Sequence, residues 1–173
     1  MVRIVIFEYE ILFRDGLKYL LETVPDFRVV GEGRTSEELF ALLAHTPADM
    51  TIVGVNPPDE FNCAEMVERL QSEYPAMKIL VMANPVASKF LLSMMAGING
   101  FIEKQKVDKN NLEKIIREVA EGESFIGYFD SDELSIDNST LQRAFREYLS
   151  SEERKTEIEC AFIRNAIPIT WKS

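Results

Sequence analysis

Residues able to carry out chemistry are few in this chain, and they are scattered. A single histidine, His45, leaves little for metal binding or for histidine-based catalysis. The two cysteines, Cys63 and Cys160, form no spaced motif and suggest a reducing cytoplasm. The sequence shows no paired carboxylates, metal cluster or nucleophile–base set. It therefore predicts a protein that is not an enzyme and that uses no metal or cofactor.

The chain is organised around the apolar run at residues 50–55 (Met-Thr-Ile-Val-Gly-Val), which the turn Asn-Pro-Pro at residues 56–58 closes. The run is too short for a helix and indicates a strand buried on both faces. In an open parallel sheet, functional side chains gather just beyond the carboxyl ends of such strands. What the chain offers there is Gly54, a residue without a side chain.

Strand and helix patterns alternate about five times before residue 124. Apolar residues recur with helical spacing between short apolar runs, for example at Phe13, Leu17, Leu20 and Leu21. This alternation predicts a parallel sheet covered by helices on both faces. We expect a flavodoxin-like, doubly wound α/β fold with five strands, at residues 3–7, 27–30, 50–55, 78–82 and 98–103.

Three local signals place helix ends. Thr35 and Glu38 form a capping box that opens a helix running through Leu43. Asn62 with Glu65 can cap the next helix in the same way. Gly122 closes the last helix of the alternating region.

The C-terminal part of the chain has a different pattern. Residues 1–124 form the predicted α/β domain, and residues 125–137 are acidic, without a sustained period, and predict a linker. Residues 138–173 predict a short helical extension. Short helices are marginal alone and need a partner surface, which is either their own domain or another chain.

Charge and hydropathy restrict the partners. The formal net charge is −10, and we find no clear basic patch of the kind that binds DNA phosphates. Direct DNA binding is therefore disfavoured. The longest apolar runs are far shorter than the roughly 20 residues that span a bilayer, and the N-terminus enters a strand pattern directly. We expect a cytoplasmic protein with no membrane attachment.

A series of short motifs runs in order through residues 1–124. They are Leu-Phe-Arg-Asp-Gly-Leu at residues 12–17, Pro-Asp-Phe-Arg-Val-Val-Gly-Glu at 25–32, Tyr-Pro at 74–75, Ala-Gly-Ile-Asn-Gly-Phe at 96–101, and Lys104. Together these motifs resemble the receiver domain of bacterial response regulators, particularly of the NarL/LuxR type. The resemblance covers about seven-tenths of the chain and supports the predicted fold.

The resemblance implies phosphoryl transfer to an aspartate at the end of the third strand. It also implies Mg²⁺ held by carboxylates after the first strand, with a Ser/Thr and a Lys that grip the phosphoryl group. Position by position, the nucleophile falls on Gly54, the acidic pair on Glu8 and Tyr9, and the Ser/Thr on Ala83, so that only Lys104 is retained. The five residues predict a degenerate phospho-acceptor pocket in a pseudo-receiver.

Other interpretations of these positions stay open. Gly54 either marks the lost nucleophile or simply lets a loop or Tyr9 pack closely over the pocket. Glu8 and Glu10 either bind a divalent cation or are solvated loop carboxylates. Lys104 either meets phosphate or forms an ion pair with one of these two glutamates.

A candidate interaction surface follows the fourth predicted strand. Apolar side chains at residues 90–95 point almost all round a helix, and such a surplus suggests a contact. In receivers generally, the fourth and fifth helices with the last strand form the usual partner surface. The surface predicted here comprises Phe90, Leu91, Met94, Met95 and Phe101. Packing of the C-terminal extension against it is the intramolecular alternative.

The function we expect is phosphorylation-independent signalling or transcription regulation through a protein partner or a homodimer. One alternative is a DNA-associated regulator with a degenerate LuxR-type C-terminal region. Another is a small-ligand sensor that uses the crevice beside Glu8, Gly54 and Lys104. The identity of the partner and the oligomeric state are left open.

Overall fold

The computed structural model describes residues 1–56, 60–84, 98–123 and 125–127 of the 173-residue chain. Within them, the strands are β1 (Val2–Phe7), β2 (Phe27–Gly33), β3 (Met50–Val55), β4 (Lys78–Ala83), β5 (Gly100–Glu103) and β6 (Phe125–Gly127). The helices are α1 (Ile11–Glu22), α2 (Ser36–Leu43), α3 (Glu60–Glu73) and α4 (Lys109–Ala120), and a 3₁₀ turn spans Lys104–Lys106.

The strands form a parallel sheet in the order β2-β1-β3-β4-β5-β6. The order reverses between β1 and β3, which are neighbours in the sheet, and Phe7 at the end of β1 pairs with Val53. This switch point is where open α/β sheets collect functional groups. The predicted flavodoxin-like, doubly wound fold is confirmed, and residues following β1 lie beside the end of β3.

The sheet has one strand more than the five predicted. Residues 125–127, which we expected to begin a linker, form β6, and Phe125 pairs with Gly100 while Gly127 pairs with Ile102. The Phe125 N–H also donates to the carbonyl oxygen of Asn99 at 3.1 Å. Three residues are too few to show a period, so the pattern that identified the other strands could not identify this one.

Apolar residues bury both faces of the sheet, as the strand patterns predict. Successive side chains alternate between the faces. One face packs on α2 and α3 through Leu39, Phe40, Leu43, Cys63, Met66, Val67 and Leu70. The other packs on α1 and α4 through Leu17, Leu21, Leu112, Ile115, Ile116 and Val119.

The helix ends agree with two of the three sequence signals. The Thr35 hydroxyl accepts from the Glu38 N–H at 3.3 Å, and α2 ends at Leu43 as predicted. Gly122, with φ of 98°, follows α4 in the left-handed conformation that favours glycine. The predicted cap at Asn62 is wrong, because α3 has already begun at Glu60.

Several predictions fall outside the described residues. They are the helix expected between residues 85 and 96 and the helical extension at residues 138–173. Within the part of the chain that the structure describes, no helix is both long and apolar enough to span a bilayer.

Candidate functional site

The site is built around Glu8, the first residue after β1. Its backbone N–H donates to the carbonyl oxygen of Gly33 at 3.1 Å, which ties the residue to the end of β2. The residue is only 1% exposed. A buried carboxylate is costly unless it is paired and hydrogen-bonded. The expectation of a solvated carboxylate is therefore wrong for Glu8, whereas the Glu10 side chain is 55% exposed.

Each carboxylate oxygen of Glu8 has its own neighbours. Oε1 accepts hydrogen bonds from the Glu10 N–H at 2.8 Å and from Asn56 Nδ2 at 2.9 Å. Oε2 lies 2.7 Å from Nζ of Lys104 as one half of an ion pair, in an orientation that gives it no well-directed hydrogen bond. Most of the stabilisation of this oxygen is therefore coulombic.

Lys104 supplies the cation from the opposite side of the site. It directly follows β5, and its side chain is 5% exposed. Its Nζ donates to Asn56 Oδ1 at 2.7 Å and to Glu10 Oε2 at 3.4 Å, and it lies 4.7 Å from the centre of the Phe13 ring. The predicted ion pair of Lys104 with the glutamates is confirmed, and it involves both of them.

The Glu8 side chain occupies the space beside Gly54. Gly54 lies in β3, and a Cβ atom built on it would be 1.9 Å from Glu8 Oε2 and 2.7 Å from Glu8 Cδ. Real Cβ atoms do not make such contacts, so the Glu8 carboxylate occupies the place where a side chain on residue 54 would begin. The open interpretation that Gly54 permits close packing is correct, but the group that packs there is Glu8.

Tyr9 is exposed beside this site and does not fill the space at Gly54. It is 61% exposed, and the Arg34 guanidinium lies 5.7 Å from the centre of its ring. Of the alternatives left open for the group that packs closely at Gly54, Tyr9 is therefore not the one observed. Ala83, the last residue of β4, is fully buried, and its methyl group packs in the apolar core on the α2–α3 face.

Sequence reasoning missed the part played by Asn56. It treated this residue only as the start of a turn, whereas the side chain joins both partners of the ion pair. Its amide nitrogen donates to Glu8 and its amide oxygen accepts from Lys104. The available signal was its position directly after β3, at the functional edge of the sheet.

The Mg²⁺ ion that the receiver resemblance implies does not fit these residues. The Glu8 carboxylate is engaged by Asn56, Lys104 and a backbone N–H, while Tyr9 and Gly54 contribute no carboxylate. Across the described ranges, no group of three histidine, cysteine, aspartate or glutamate residues could hold a metal ion. The ammonium of Lys104 supplies the positive charge beside Glu8.

A cleft of about 530 Å³ opens beside this network at the switch point. Its lining includes Tyr9, Arg34, Gly54, Asn56 and Arg69, but neither Glu8 nor Lys104. The predicted ligand crevice therefore overlaps the cleft only at Gly54. Arg69 lies 3.7 Å from the centre of the Phe40 ring and pairs with Glu73 at 2.6 Å, so its charge already has a partner.

The predicted interaction surface is only partly described. Phe90, Leu91, Met94 and Met95 lie outside the described residues. Phe101 is 2% exposed and packs in the core beneath α2 and α3. Its side chain therefore offers almost no exposed area for a contact.

Comparison with known proteins supports the receiver fold. The transcriptional regulatory protein DegU of Brevibacillus brevis is 29% identical over 126 residues, covering 72% of this chain and 52% of DegU. The DNA-binding transcriptional activator DevR/DosR of Mycobacterium tuberculosis is 26% identical over 127 residues, covering 73% of this chain and 58% of that protein. No family model matches the chain.

The non-phosphorylated receiver domain of the stress response regulator RcsB from Escherichia coli has a similar structure. The TM-score is 0.62 at 21% identity, with 73% of this chain and 98% of the RcsB domain covered. The relatives and structural neighbours are NarL/LuxR-type response regulators with receiver domains. The chain spans just over half the length of DegU and DevR/DosR.

Proposed function

We propose that this chain is a phosphorylation-independent pseudo-receiver, a signalling or transcription-regulatory module that acts by contacting a protein partner or a second copy of itself. The observation that carries this proposal is the position of the Glu8 carboxylate. It lies where a side chain on residue 54 would begin, and it is paired with Lys104 at 2.7 Å. The similarity of the chain to response regulators supports a role in signalling.

The chemistry of the site supports the loss of phosphorylation. Residue 54 is the position that the resemblance assigns to the nucleophile, and glycine has no group that can attack phosphorus. Lys104 is the residue that the resemblance assigns to gripping the phosphoryl group, and its ammonium is engaged by Glu8, Glu10 and Asn56. A permanent internal carboxylate thus provides the negative charge that a phosphoryl group would otherwise bring to the lysine.

Incubation with acetyl phosphate and Mg²⁺, followed by intact mass measurement, tests this function. We expect the native chain to keep its unmodified mass while a phosphorylation-competent receiver treated in parallel gains a phosphoryl group. Stoichiometric formation of an acid-stable, hydroxylamine-labile acyl phosphate on the native chain would refute the proposal.

A DNA-associated regulator is a second candidate, favoured by the similarity of the chain to DevR/DosR, a DNA-binding transcriptional activator. The expectation against DNA binding rests only on the net charge of −10 and the lack of a clear basic patch. An electrophoretic mobility shift at moderate salt separates the two candidates. A sequence-specific complex supports the DNA-associated function, whereas weak, salt-sensitive retention of all sequences does not.

A small-ligand sensor is a third candidate, favoured by the cleft beside Gly54. A reproducible rise in the melting temperature with one class of metabolite, lost when Arg34 is replaced by alanine, would support it. We rank it third because the two charged residues predicted to face the ligand, Glu8 and Lys104, pair with each other.

A further inference from the structure

The cleft at the switch point, called the switch-point cleft below, has a buried apolar floor. The buried residues of its lining are Phe40, Val55, Cys63 and Met66. Its volume of about 530 Å³ suits a drug-sized ligand. Because every buried residue of the lining is apolar, the part of a ligand that reaches the floor must be apolar as well.

The mouth of the switch-point cleft carries a guanidinium. Arg34 is exposed there, and its guanidinium lies 5.7 Å from the centre of the Tyr9 ring, which is also exposed. In the described part of the chain, no carboxylate forms an ion pair with Arg34. A guanidinium binds a carboxylate through two parallel N–H donors. Arg34 therefore offers a carboxylate-binding group at the edge of an apolar cavity.

Three acidic residues near Arg34 limit the number of negative charges on the ligand. Glu37 and Glu65 are exposed in the lining. The backbone N–H of Glu37 and the Thr35 hydroxyl hold the pKa of the Glu37 carboxyl below its usual value. The Glu38 carboxylate lies outside the lining and accepts a hydrogen bond from the backbone N–H of Arg34 at 2.7 Å. A ligand with several negative charges would meet these carboxylates, whereas a single carboxylate needs only the guanidinium.

The remaining charged neighbours are already paired. Arg69 also lines the cleft, but its guanidinium pairs with Glu73 at 2.6 Å. Glu10, which lines a neighbouring depression together with Arg34, pairs with Lys104 at 3.4 Å. Among the described residues of the cleft, Arg34 is therefore the cation whose charge is left for a ligand.

Two aromatic rings favour a flat ligand body. Tyr9 contributes an exposed ring at the mouth, and Phe40 contributes a buried ring in the floor. Aromatic rings gain from stacking or edge-to-face contact with another aromatic ring, beyond the area that they bury. A rigid ring system also loses little conformational entropy when it is bound. An aromatic body thus suits this lining better than a flexible chain of the same size.

We propose that the switch-point cleft binds a small aromatic monocarboxylate. Arg34 holds the carboxylate, and the aromatic body lies between Tyr9 and the apolar floor. The inference rests on the small-ligand function named above as the third candidate, and it gives that function a ligand class. Neither Glu8 nor Lys104 has to face the ligand, so their ion pair is compatible with binding.

Asn56 joins the switch-point cleft to the buried ion pair. It lines the cleft, while its side-chain amide donates to Glu8 Oε1 at 2.9 Å and accepts from Lys104 Nζ at 2.7 Å. A ligand in the cleft therefore changes the surroundings of the residue that bridges Glu8 and Lys104. The side-chain amide resonance of Asn56 should report that the cleft is filled.

Isothermal titration calorimetry of the full chain with naphthoate tests the site, and naphthamide is the neutral probe of the same shape. We expect one saturable site for naphthoate and at least about tenfold weaker binding of naphthamide, because the charge-assisted hydrogen bonds to Arg34 are lost. A naphthalene dicarboxylate should also bind more weakly, since its second carboxylate meets Glu37 and Glu65. Absence of saturable naphthoate binding, or equally tight binding of either other probe, overturns the inference.

Replacement of the guanidinium tests its role. Arg34→Gln should weaken naphthoate binding by at least about tenfold and leave naphthamide binding nearly unchanged. Arg28→Gln, at an exposed position near the other end of β2, is the matched control because it removes the same charge. Both variants should keep the melting temperature of the native chain without ligand. Naphthoate binding that Arg34→Gln leaves unchanged, or that Arg28→Gln weakens equally, overturns the inference.

Heteronuclear NMR spectra locate the bound probe. We expect naphthoate to shift the side-chain amide resonance of Asn56 along the same saturation curve as the calorimetric heat. Shifts confined to the exposed apolar residues of α1 would place the probe outside the switch-point cleft and overturn the inference.

These measurements fail separately from the proposed function. A chain that binds no naphthoate and keeps its unmodified mass with acetyl phosphate retains the pseudo-receiver proposal and loses the ligand class. A rise in melting temperature with a different class of metabolite would support the small-ligand function while overturning the aromatic monocarboxylate. Phosphorylation of the native chain would refute phosphorylation independence even if naphthoate bound.

Discussion

The Glu8 carboxylate lies where the side chain of residue 54 would begin. It can lie there because residue 54 is glycine. A Cβ atom on Gly54 would lie 1.9 Å from Glu8 Oε2. The absence of a side chain at residue 54 and the burial of the Glu8 carboxylate are therefore structurally linked. The Lys104 ammonium at 2.7 Å stabilises the result.

The steric relation between Glu8 and Gly54 predicts non-additive stabilities. Gly54→Ala should lower the free energy of unfolding by about 1–3 kcal/mol, because the added methyl displaces a carboxylate from its partners. The same change in a Glu8→Ala background should cost little or stabilise, since the clash is removed and alanine suits a strand better than glycine. Urea unfolding of the four proteins measures this coupling. Additive effects would show that the two residues do not compete for space.

The buried ion pair predicts a large cost for removing one partner. Lys104→Met leaves Glu8 as an unpaired carboxylate with 1% exposure and should cost about 3–5 kcal/mol of unfolding free energy. Lys114→Met, at a side chain that is 72% exposed, is the matched control and should have little effect.

The double variant Glu8→Gln with Lys104→Met completes this comparison. It should be more stable than Lys104→Met alone, because it leaves no buried charge without a partner. If the double variant lost as much unfolding free energy as Glu8→Gln and Lys104→Met lose in sum, the two charges would not depend on each other, and this interpretation would be contradicted.

Acid stability should depend on the contact between β1 and the start of β3. The Arg3 guanidinium donates two hydrogen bonds to the Asp49 carboxylate, at 2.7 and 3.0 Å, and holds its pKa below the usual 3.8. A carboxyl with a lowered folded-state pKa stabilises the fold above its unfolded pKa, and this stabilisation is lost as pH falls through the folded pKa. In acid unfolding, the difference in unfolding free energy by which the native chain exceeds the Asp49→Asn variant should therefore shrink below about pH 4. An advantage that grows on acidification would contradict this sign.

Cys63 should be chemically inert in the folded protein. Burial raises the pKa of its thiol to about 12, so very little thiolate exists near neutral pH. In a Cys160→Ser variant, we expect Cys63 to react with a disulfide reagent only after urea is added. Rapid stoichiometric labelling without denaturant would show that α3 exposes this residue.

The fold was predictable because its elements are long enough to show their periods. The stripe of Leu17 and Leu21 and the runs that form β1, β3 and β4 indicate which faces are buried. β6, at three residues, gives no such signal, and its place depends on pairing with β5. The misplaced cap at Asn62 shows that a capping pattern alone does not fix a helix start.

The sequence identified most residues of the site, but it did not predict how their side chains are arranged. Matching to receivers singled out Gly54 and Lys104, but sequence could not show that Glu8 turns inward. That depends on the volume left by a residue 46 positions away, together with an amide from Asn56, 48 positions away. Exposed and buried glutamates look alike in sequence, because burial is decided by partners that the fold brings together.

The central claim is that the Glu8 carboxylate, paired with Lys104, closes the pocket. Calorimetric titration of the native chain with Mg²⁺ and beryllofluoride tests it most directly, because this phosphoryl mimic needs the same space and the same lysine. With Glu8 paired to Lys104 and no side chain on residue 54, we predict no saturable heat and no change in the free energy of unfolding. Saturable binding that stabilises the fold, abolished by Lys104→Met, would contradict a site closed by its own carboxylate.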